Sequence, residues 1–269
     1  MQKLTTALGL PQHRFASIHV VGTNGKSSVT RMTAALLQAH GLRAGACVSP
    51  HADRWSQRTL VQGEEIDEIA WAQAVEQVAA AAEGVNRSLE EGEAVTQFEA
   101  ATAASFVALA RARVEVAVVE AGLGGRLDAT NTIPSRVTVL TSIGLDHTEW
   151  LGESEVEIAA EKLAVLRDQT TLVLGEVSPE VEELAEETAR ERGARLVRAQ
   201  REPVHDRLPH AVPGVSARAG ADSAVRELCR DEVVPRRGAP DPGRDALDAQ
   251  AAGVPRLRQP GDVEPRGRQ

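Results

Sequence analysis

One stretch near the N-terminus holds the residue types that could bind a phosphate group. It reads Ile-His-Val-Val-Gly-Thr-Asn-Gly-Lys-Ser-Ser, in which a β-branched apolar run ends at Gly22 and a helical apolar pattern begins after Lys26. The unpaired N–H groups and the dipole of a helix N-terminus attract anions. Lys26 would add a full positive charge, and the hydroxyl of Ser27 or Ser28 could contact a magnesium ion or a phosphate oxygen. The stretch therefore predicts an anion-binding loop.

The alternative interpretation of this stretch is a glycine turn with a chance lysine. The general phosphate-loop pattern places a further glycine six positions before the lysine, where this chain has Val20. Strand, loop and helix nevertheless follow one another in the order that an anion-binding loop requires. The binding interpretation is therefore favoured over the turn.

The elements around this loop alternate between strands and helices. Predicted strands cover residues 17–23, 43–48, 114–119, 136–143, 171–174 and 194–197, with a weak hairpin at 59–66. Predicted helices cover residues 25–40, 67–83, 96–110, 154–166 and 179–192, with a short one at the N-terminus. The second of these helices is expected to bury Ile69, Ala70, Val75 and Val78. The alternation predicts an α/β fold with a mostly parallel sheet of the phosphate-loop type and helices on both faces.

Polar residues follow several predicted strands, at the sheet edge where ligands bind in such folds. They are the loop lysine Lys26, then Ser49, Glu120 and His147. Each has an ordinary explanation when taken alone: Ser49 as a turn residue, Glu120 as a carboxylate that reaches solvent, and His147 as a structural hydrogen bonder. A carboxylate that ends a buried strand is nevertheless costly without a cation such as magnesium beside it. Together these positions predict one shared catalytic site.

The composition disfavours several classes of protein. The 269-residue chain carries 30 Lys and Arg against 39 Asp and Glu, a formal charge of −9, which disfavours nucleic acid as a partner. The two cysteines, Cys47 and Cys229, predict no disulfide framework and a reducing compartment. No apolar run is long enough to span a membrane, and the N-terminus lacks the apolar segment of a secretion signal. The chain is therefore expected to be cytoplasmic, with no membrane partner.

Residues 201–269 differ in composition from the rest of the chain. The six Phe and Trp residues all lie in the first 150 positions, whereas 201–269 hold nine of the thirteen prolines and lack Ile, Lys, Asn and Phe. Such a segment cannot bury enough apolar surface to offset the entropy of ordering, so a low-complexity, largely disordered C-terminal tail is predicted. Out-of-frame translation of a GC-rich gene would also produce this composition, which resequencing of the locus would test.

A set of short motifs extends the predicted site along the first 200 residues. In chain order they are Gly22-Thr-Asn-Gly-Lys26, Ser49-Pro50-His51, Thr96-Gln97-Phe98-Glu99, Glu120-Ala-Gly-Leu-Gly-Gly-Arg126-Leu-Asp128-Ala-Thr130-Asn131, Asp146-His147, Trp150-Leu151-Gly152 and Glu161-Lys162. Together they resemble bacterial folylpolyglutamate synthase/dihydrofolate synthase, a folate-branch family of the Mur ligase superfamily. The resemblance implies a partial Mur-type ATP-binding domain (the central domain of those ligases) at residues 1–200, with 201–269 outside it. The C-terminal glutamate-binding domain of the family is expected to be absent.

The resemblance also implies roles for individual residues. The ATP phosphates are assigned to Thr23, Asn24, Gly25, Lys26, Ser27 and Ser28. One magnesium ion is assigned to Ser49 and Glu120 and a second to His147, with Lys162 as a carbamylated lysine that serves as a further ligand. Contacts with the pterin substrate are assigned to Thr96, Gln97, Phe98, Glu99, Leu127, Asp128 and Ala129. The implied catalytic residues are Lys26, His147 and Lys162.

The implied reaction is ATP-dependent amide formation. A carboxylate of dihydropteroate or of a folate attacks the γ-phosphoryl group of ATP, and the amine of L-glutamate displaces phosphate from the resulting acyl phosphate. The implied cofactors are ATP and two Mg²⁺ ions, the partners are these small molecules, and a monomer is expected. Two alternatives stay open. One is an inactive nucleotide-binding remnant, and the other is a cell-wall Mur-type ligase, which would need a UDP-binding domain before Gly22.

The chain departs from the family pattern beside two of the implied catalytic residues. Ser27-Ser28 stands after the loop lysine where the family commonly has Gly-Ser. Leu163-Ala164-Val165 stands after Lys162 where the family usually has Ala-Gly-Ile. The second change adds bulk next to the lysine that would be carbamylated.

Overall fold

The computed structural model describes residues 1–199 and Ser223. The strands in this part of the chain are β1 (Ala16–Val21), β2 (Ala44–Cys47), β3 (Thr59–Val61), β4 (Glu64–Glu65), β5 (Val116–Glu120), β6 (Val137–Leu140), β7 (Thr171–Leu174) and β8 (Arg195–Arg198). They form one sheet in the order β4-β3-β2-β5-β1-β6-β7-β8. The pairings from β2 to β8 are parallel, whereas β3 and β4 add an antiparallel hairpin at one edge. The predicted mostly parallel sheet and the weak hairpin are both confirmed.

The helices of the described residues alternate with the parallel strands, as predicted. They are α1 (Gln2–Ala7), α2 (Lys26–Ala39), α3 (Glu68–Asn86), α4 (Gln97–Arg111), α5 (Thr148–Leu151), α6 (Glu155–Leu163) and α7 (Pro179–Glu191). Side chains that cap the N-terminus fix where three of them begin: Asp67 for α3, Thr96 for α4 and Ser154 for α6. None of the helices in residues 1–199 is long and apolar enough to cross a membrane.

Helices cover both faces of the sheet. On one face, Val29 and Leu37 of α2 pack among strand residues such as Val118. On the other face, Phe106 of α4 packs against Val119, and α6 and α7 cover the neighbouring strands. Every residue of β5 is buried, which confirms the prediction that this apolar run is a strand covered on both sides. Because helices cover both faces of the sheet, polar groups can gather at the two ends of the strands.

Helix α3 differs from its sequence-based prediction in two ways. It continues to Asn86 rather than ending near residue 83, and Ile69 and Val75, which we expected to be buried, are 69% and 42% exposed. The helix instead packs on α4 through Ala74 and Val78. The apolar stripe of α3 is wider than the face that α4 covers, so the periodicity alone could not show which edge of the stripe is buried.

The strand register brings the carboxyl ends of the central strands together along one side of the sheet, which we call its carboxyl edge. Val20 of β1 lies opposite Glu120 of β5, and Cys47 of β2 lies opposite the preceding residue of β5. On the other side of β1, Val21 lies opposite Leu140 of β6. The segments that follow β1, β2, β5 and β6 therefore leave the sheet side by side, which is where ligands bind in open α/β sheets. The predicted disorder of the C-terminal tail falls outside the described residues.

Candidate active site

The loop between β1 and α2 has the geometry of an anion-binding turn. Gly25 has a left-handed conformation (φ 79°) at the N-cap of α2, and no acidic side chain lies in the first helical turn. Gly22 has φ 146°, and a Cβ there would come within 2.0 Å of the Thr141 hydroxyl. Both positions therefore require glycine. The first N–H groups of this 14-residue helix have no intrahelical partners, which suits a phosphate.

The side chain of Lys26 folds back over this loop. Its Nζ donates to the carbonyl oxygens of Gly22 and Thr23, each at 3.0 Å. The loop is in turn tied to the segment after β6, because the Thr23 N–H donates to the Ser142 carbonyl at 2.8 Å and the Thr23 hydroxyl donates to the Gly144 carbonyl at 3.1 Å. The Lys26 ammonium is thus held at the N-terminus of α2 by its own loop, and that loop is held by the segment after β6.

Glu120, the last residue of β5, lies between the loops that follow β1 and β2. Only 4% of its surface is exposed. The Ser27 hydroxyl donates to Oε1 at 2.8 Å, and the Ser49 N–H donates to Oε2 at 3.1 Å. Burial raises the pKa of the Glu120 carboxyl, and the hydrogen bonds from Ser49 and Ser27 and the charge of Lys26 oppose that shift. The structure therefore brings four of the predicted site residues into one connected cluster.

This cluster presents the donor atoms that magnesium prefers. The buried Glu120 carboxylate and the Ser27 hydroxyl supply oxygen atoms beside the glycine loop, and Mg²⁺ is usually held by one or two carboxylates together with substrate phosphates. No group of three or more His, Cys, Asp or Glu side chains within residues 1–199 is arranged to hold a metal without further ligands. The residues around Glu120 fit a magnesium ion that shares its coordination sphere with a bound phosphate.

Lys162 of α6 is a buried cation near the same cluster. It is 4% exposed, and burial lowers its pKa to about 8, with a further lowering by the positive charge of Lys26. The carboxylates of Asp146 and Asp128 oppose the shift. A lysine with this pKa is neutral in a substantial fraction of molecules near pH 8, which is the form that reacts as a nucleophile.

We expect Lys162→Met to make the unliganded protein more stable while impairing its function. Removing a buried ammonium with a depressed pKa should raise the free energy of unfolding at pH 7 by about 1–3 kcal/mol. Because the folded-state pKa lies below the ordinary value of 10.5, the wild type gains stability as the pH rises above about 8. The stability gap between variant and wild type should therefore narrow between pH 8 and pH 10. Urea unfolding at several pH values measures this, and a gap that widens with pH would contradict the assignment.

A glycine-rich segment between β5 and β6 packs on the backbone of α6. A Cβ at Gly125 would come within 2.7 Å of the Glu161 carbonyl and 2.9 Å of the Lys162 carbonyl. Next to it, the Arg126 N–H donates to the Glu161 carbonyl at 3.2 Å, and the guanidinium of Arg126 pairs with the Glu161 carboxylate at 3.1 Å. This close approach explains why the segment needs glycine and how it fixes the helix that carries Lys162.

Three of the seven predicted substrate residues line one cavity. This cavity has a volume of about 680 Å³ and is lined by Glu99, Leu127 and Asp128, among others. Thr96 and Glu99 cap each other at the start of α4, with N···O distances of 2.9 and 3.2 Å, and Leu127 is 92% exposed. Gln97 is exposed beside them and Ala129 is buried. The arrangement is compatible with a substrate pocket.

Asp128 has a structural use that the sequence did not suggest. Its Oδ2 accepts hydrogen bonds from the N–H groups of Gly122 and Leu123, each at 3.0 Å, and its Oδ1 accepts from the Thr130 N–H at 2.9 Å. The Thr130 hydroxyl is also 2.8 Å from Nε2 of the buried His19 in β1. Asp128 therefore fixes the conformation of its own loop, and this role is independent of any contact with a substrate.

His147 is less well placed than the other predicted ligands. It begins α5 with a left-handed conformation (φ 51°), and its side chain is 54% exposed. Within the described residues its ion-pair partner is Asp146, with Nε2 3.7 Å from Oδ1. The structure places it on the correct edge of the sheet, after β6, but shows no hydrogen bond or ion pair from it to Ser49 or Glu120 within residues 1–199.

Arg58 is a candidate site residue that sequence analysis missed. Its Nε donates to Nδ1 of His51 at 2.8 Å, and its guanidinium lies 4.7 Å from the ring centre of Trp55 and 5.7 Å from that of Phe98. Together with Glu120 it lines a small cavity of about 20 Å³. The signal in the sequence was weak, since one arginine in the short segment before β3 carries no motif. Its position between Phe98 and Glu120 became visible only in the fold.

Comparison with known proteins supports the resemblance found in the motifs. The Mur ligase middle domain model matches residues 20–202. The dihydrofolate synthase/folylpolyglutamate synthase of Escherichia coli is 37% identical over 179 residues, which is 66% of this chain and 40% of the relative. The chain thus spans about 40% of the length of the curated relatives it matches.

Solved structures give the same answer for the fold. The structure of Mycobacterium tuberculosis folylpolyglutamate synthase with ADP and AMPPCP superposes with a TM-score of 0.70 at 36% identity, covering 73% of this chain and 46% of the other. That of E. coli FolC with DHPP and ADP has a TM-score of 0.72 at 32% identity, covering 84% and 56%. The chain belongs to the Mur ligase middle domain family, and within it resembles the folylpolyglutamate and dihydrofolate synthases.

Proposed function

We propose that this chain carries the ATP-binding and phosphoryl-transfer site of an amide ligase that adds L-glutamate to dihydropteroate or a folate. The observation that supports it best is the connected cluster of Lys26, Ser27, Ser49 and Glu120 at one sheet edge, next to a glycine loop. Residues 1–200 would form the ATP-binding domain, in agreement with the match over 20–202. The relatives of known structure are described with ADP, AMPPCP and DHPP, which suits a nucleotide and a pterin-like acid as ligands.

The proposed phosphate site is the loop of residues 23–28. Its N–H groups and Lys26 would hold the β- and γ-phosphates of ATP, and Ser27 would bridge from the loop to Glu120. Ser49 and Glu120 would hold one magnesium ion, which when bound neutralises charge on the phosphate oxygens. Charge that develops on the transferring phosphoryl group would then meet a fixed cation, Lys26.

A second magnesium ion is proposed at His147, with Lys162 as a further ligand. The amine of Lys162 could become a carbamate: its neutral nitrogen attacks CO₂, a C–N bond forms and a proton is released. The buried position and the pKa of about 8 support this, because they supply the neutral amine. The result would exchange a buried positive charge for a negative one that suits magnesium. Incubation with ¹³C-bicarbonate and ¹³C NMR of wild type and Lys162→Met would detect or exclude the carbamate.

The substrate acid is proposed to enter through the cavity lined by Glu99, Leu127 and Asp128. Phe98 and Arg58 line a separate small cavity together with Glu120, so the aromatic ring could pack on a pterin and the guanidinium could attract the carboxylate to be activated. The carboxylate would attack the γ-phosphoryl group, and the amine of glutamate would displace phosphate from the acyl phosphate. A cytoplasmic location and a monomeric state stay predictions.

The test is release of phosphate from ATP by the purified chain with dihydropteroate and magnesium, with and without L-glutamate. Glutamate-dependent release is the expected result for a complete ligase site. Binding of AMPPCP without glutamate-dependent release would instead support the alternative of an inactive nucleotide-binding remnant. Failure to bind AMPPCP at millimolar concentration would overturn the assignment of the loop, and with it the proposed function.

A further inference from the structure

A second cavity lies at the opposite end of the strands, where their amino ends meet. Its volume is about 590 Å³, and its lining includes Gln12 before β1, Ser135 and Arg136 before β6, and Thr170 before β7. These are the amino ends of the strands, whereas Glu120 is at a carboxyl end. Strands of four to six residues, rising about 3.3 Å per residue, separate the two edges by roughly 13–20 Å. We call this space the amino-edge cavity.

The amino-edge cavity is positively charged in a chain of net negative charge. Its described lining carries the guanidinium groups of Arg136 and Arg167, and no carboxylate is among these described lining residues. Arg136 is exposed and forms no ion pair with any other residue of the 1–199 range. A cation without a counter-charge beside a cavity favours an anionic ligand.

Arg167 is held in a fixed orientation at this cavity. Its Nη2 donates to the Asn131 carbonyl at 2.5 Å and to Oδ1 of the same residue at 2.8 Å, and its Nε donates to the Ile133 carbonyl at 3.3 Å. No hydrogen bond from its Nη1 to another residue between 1 and 199 is present. A guanidinium whose one edge is anchored keeps its remaining N–H groups ready for a carboxylate or phosphate at little cost in entropy.

Two buried polar groups in the wall of the cavity are unused by the fold. Gln12 is 2% exposed and Ser135 is 1% exposed, and neither Gln12 Oε1 nor Ser135 Oγ has a hydrogen-bond partner among residues 1–199. Buried polar groups are nearly always paired in folded proteins, so an unpaired one calls for an explanation. The serine hydroxyl can donate a hydrogen bond, and the glutamine side chain can present its NH₂ group after rotation of the amide.

We propose that the amino-edge cavity is a binding site for a small organic molecule that carries a phosphate or carboxylate group. Arg136 and Arg167 would hold the oxyanion, and Ser135 and Gln12 would complete its hydrogen bonds. The volume lies in the range of small-molecule sites and exceeds what a single inorganic anion fills, which leaves space for an organic body against Leu10. The site is separate from the nucleotide loop because the sheet lies between them.

The test uses the full chain carrying Lys26→Ala, so that the nucleotide loop does not contribute phosphate binding. Pyrophosphate and citrate are titrated separately by calorimetry as phosphate and carboxylate probes. We expect at least one to bind with one site per chain, and the identity of the probe that binds shows which oxyanion the cavity prefers. Arg136→Gln should weaken that binding about tenfold or more, since a charge-assisted hydrogen-bond pair is lost. Arg87→Gln, an exposed arginine outside the cavity, should leave it unchanged.

A second variant tests the buried hydroxyl independently. Ser135→Ala removes a hydroxyl that has no hydrogen-bond partner in the described part of the chain, so its thermal midpoint should equal or exceed that of the parent, while its affinity for the probe should fall several-fold. Lack of binding by both probes would overturn the proposal. It would equally be overturned if Arg136→Gln bound the probe as tightly as the parent, since the anion would then lie elsewhere.

Discussion

The substitution Lys26→Ala is expected to weaken the binding of ATP about 100-fold and to abolish phosphoryl transfer. The lysine carries the full positive charge at the loop, and its Nζ also holds the carbonyl oxygens of Gly22 and Thr23 at 3.0 Å. The substitution removes an ionic contact with the phosphate. It also leaves the two carbonyl oxygens unpaired, and these would repel the phosphate. Titration with a fluorescent ATP analogue measures the affinity.

Two controls separate the loop chemistry from general effects of charge. Arg87→Ala removes an exposed positive charge elsewhere and should not change the affinity. Lys26→Arg keeps the charge but replaces a compact ammonium with a planar group, so it should recover only part of the binding. Unchanged nucleotide affinity in a folded Lys26→Ala protein would show that the loop is not the phosphate site.

The substitution Glu120→Gln should lower magnesium-dependent phosphoryl transfer about 100-fold or more. Glutamine has the same shape; its oxygen can still accept from the Ser49 N–H, and its NH₂ can donate to the Ser27 hydroxyl oxygen, so the change removes charge with little change in packing. Binding of nucleotide without divalent metal should be nearly unaffected, whereas the gain in affinity on adding magnesium should be lost. The measurement is a magnesium titration of nucleotide binding and of phosphate release in both proteins.

The same variant should be at least as stable as the wild type near pH 7. Burial raises the pKa of Glu120, so its ionised form costs stability above that pKa and the cost disappears when the carboxyl is protonated. The thermal midpoint of Glu120→Gln relative to wild type should therefore be higher at pH 7 than at pH 4. Glu115→Gln, at the residue just before the other end of the same strand, is the matched control for both readouts. A magnesium response that survives in Glu120→Gln would rule out Glu120 as a ligand.

The local features of the fold were well predicted from the sequence. The glycine loop after β1, the buried strand β5, the hairpin of β3 and β4 and the starts of α3 and α6 all depend on residues close together in the chain. Propensity, capping and periodicity are short-range properties, so neighbouring residues suffice to define them. The error at Ile69 and Val75 arose because burial of a helix face depends on a partner, α4, that local periodicity does not identify.

The sequence by itself determined that a glycine loop with Lys26 follows a strand and that Glu120 ends another, since both are local patterns. Only the tertiary structure decided that Ser27 and Ser49 meet at that carboxylate, across 93 and 71 positions of the chain. It likewise placed Arg58 beside the site and joined the residues of the amino-edge cavity. The physical reason is that strand register and crossover connections set the distances between residues far apart in sequence, and hence the burial and electrostatic environment of each group.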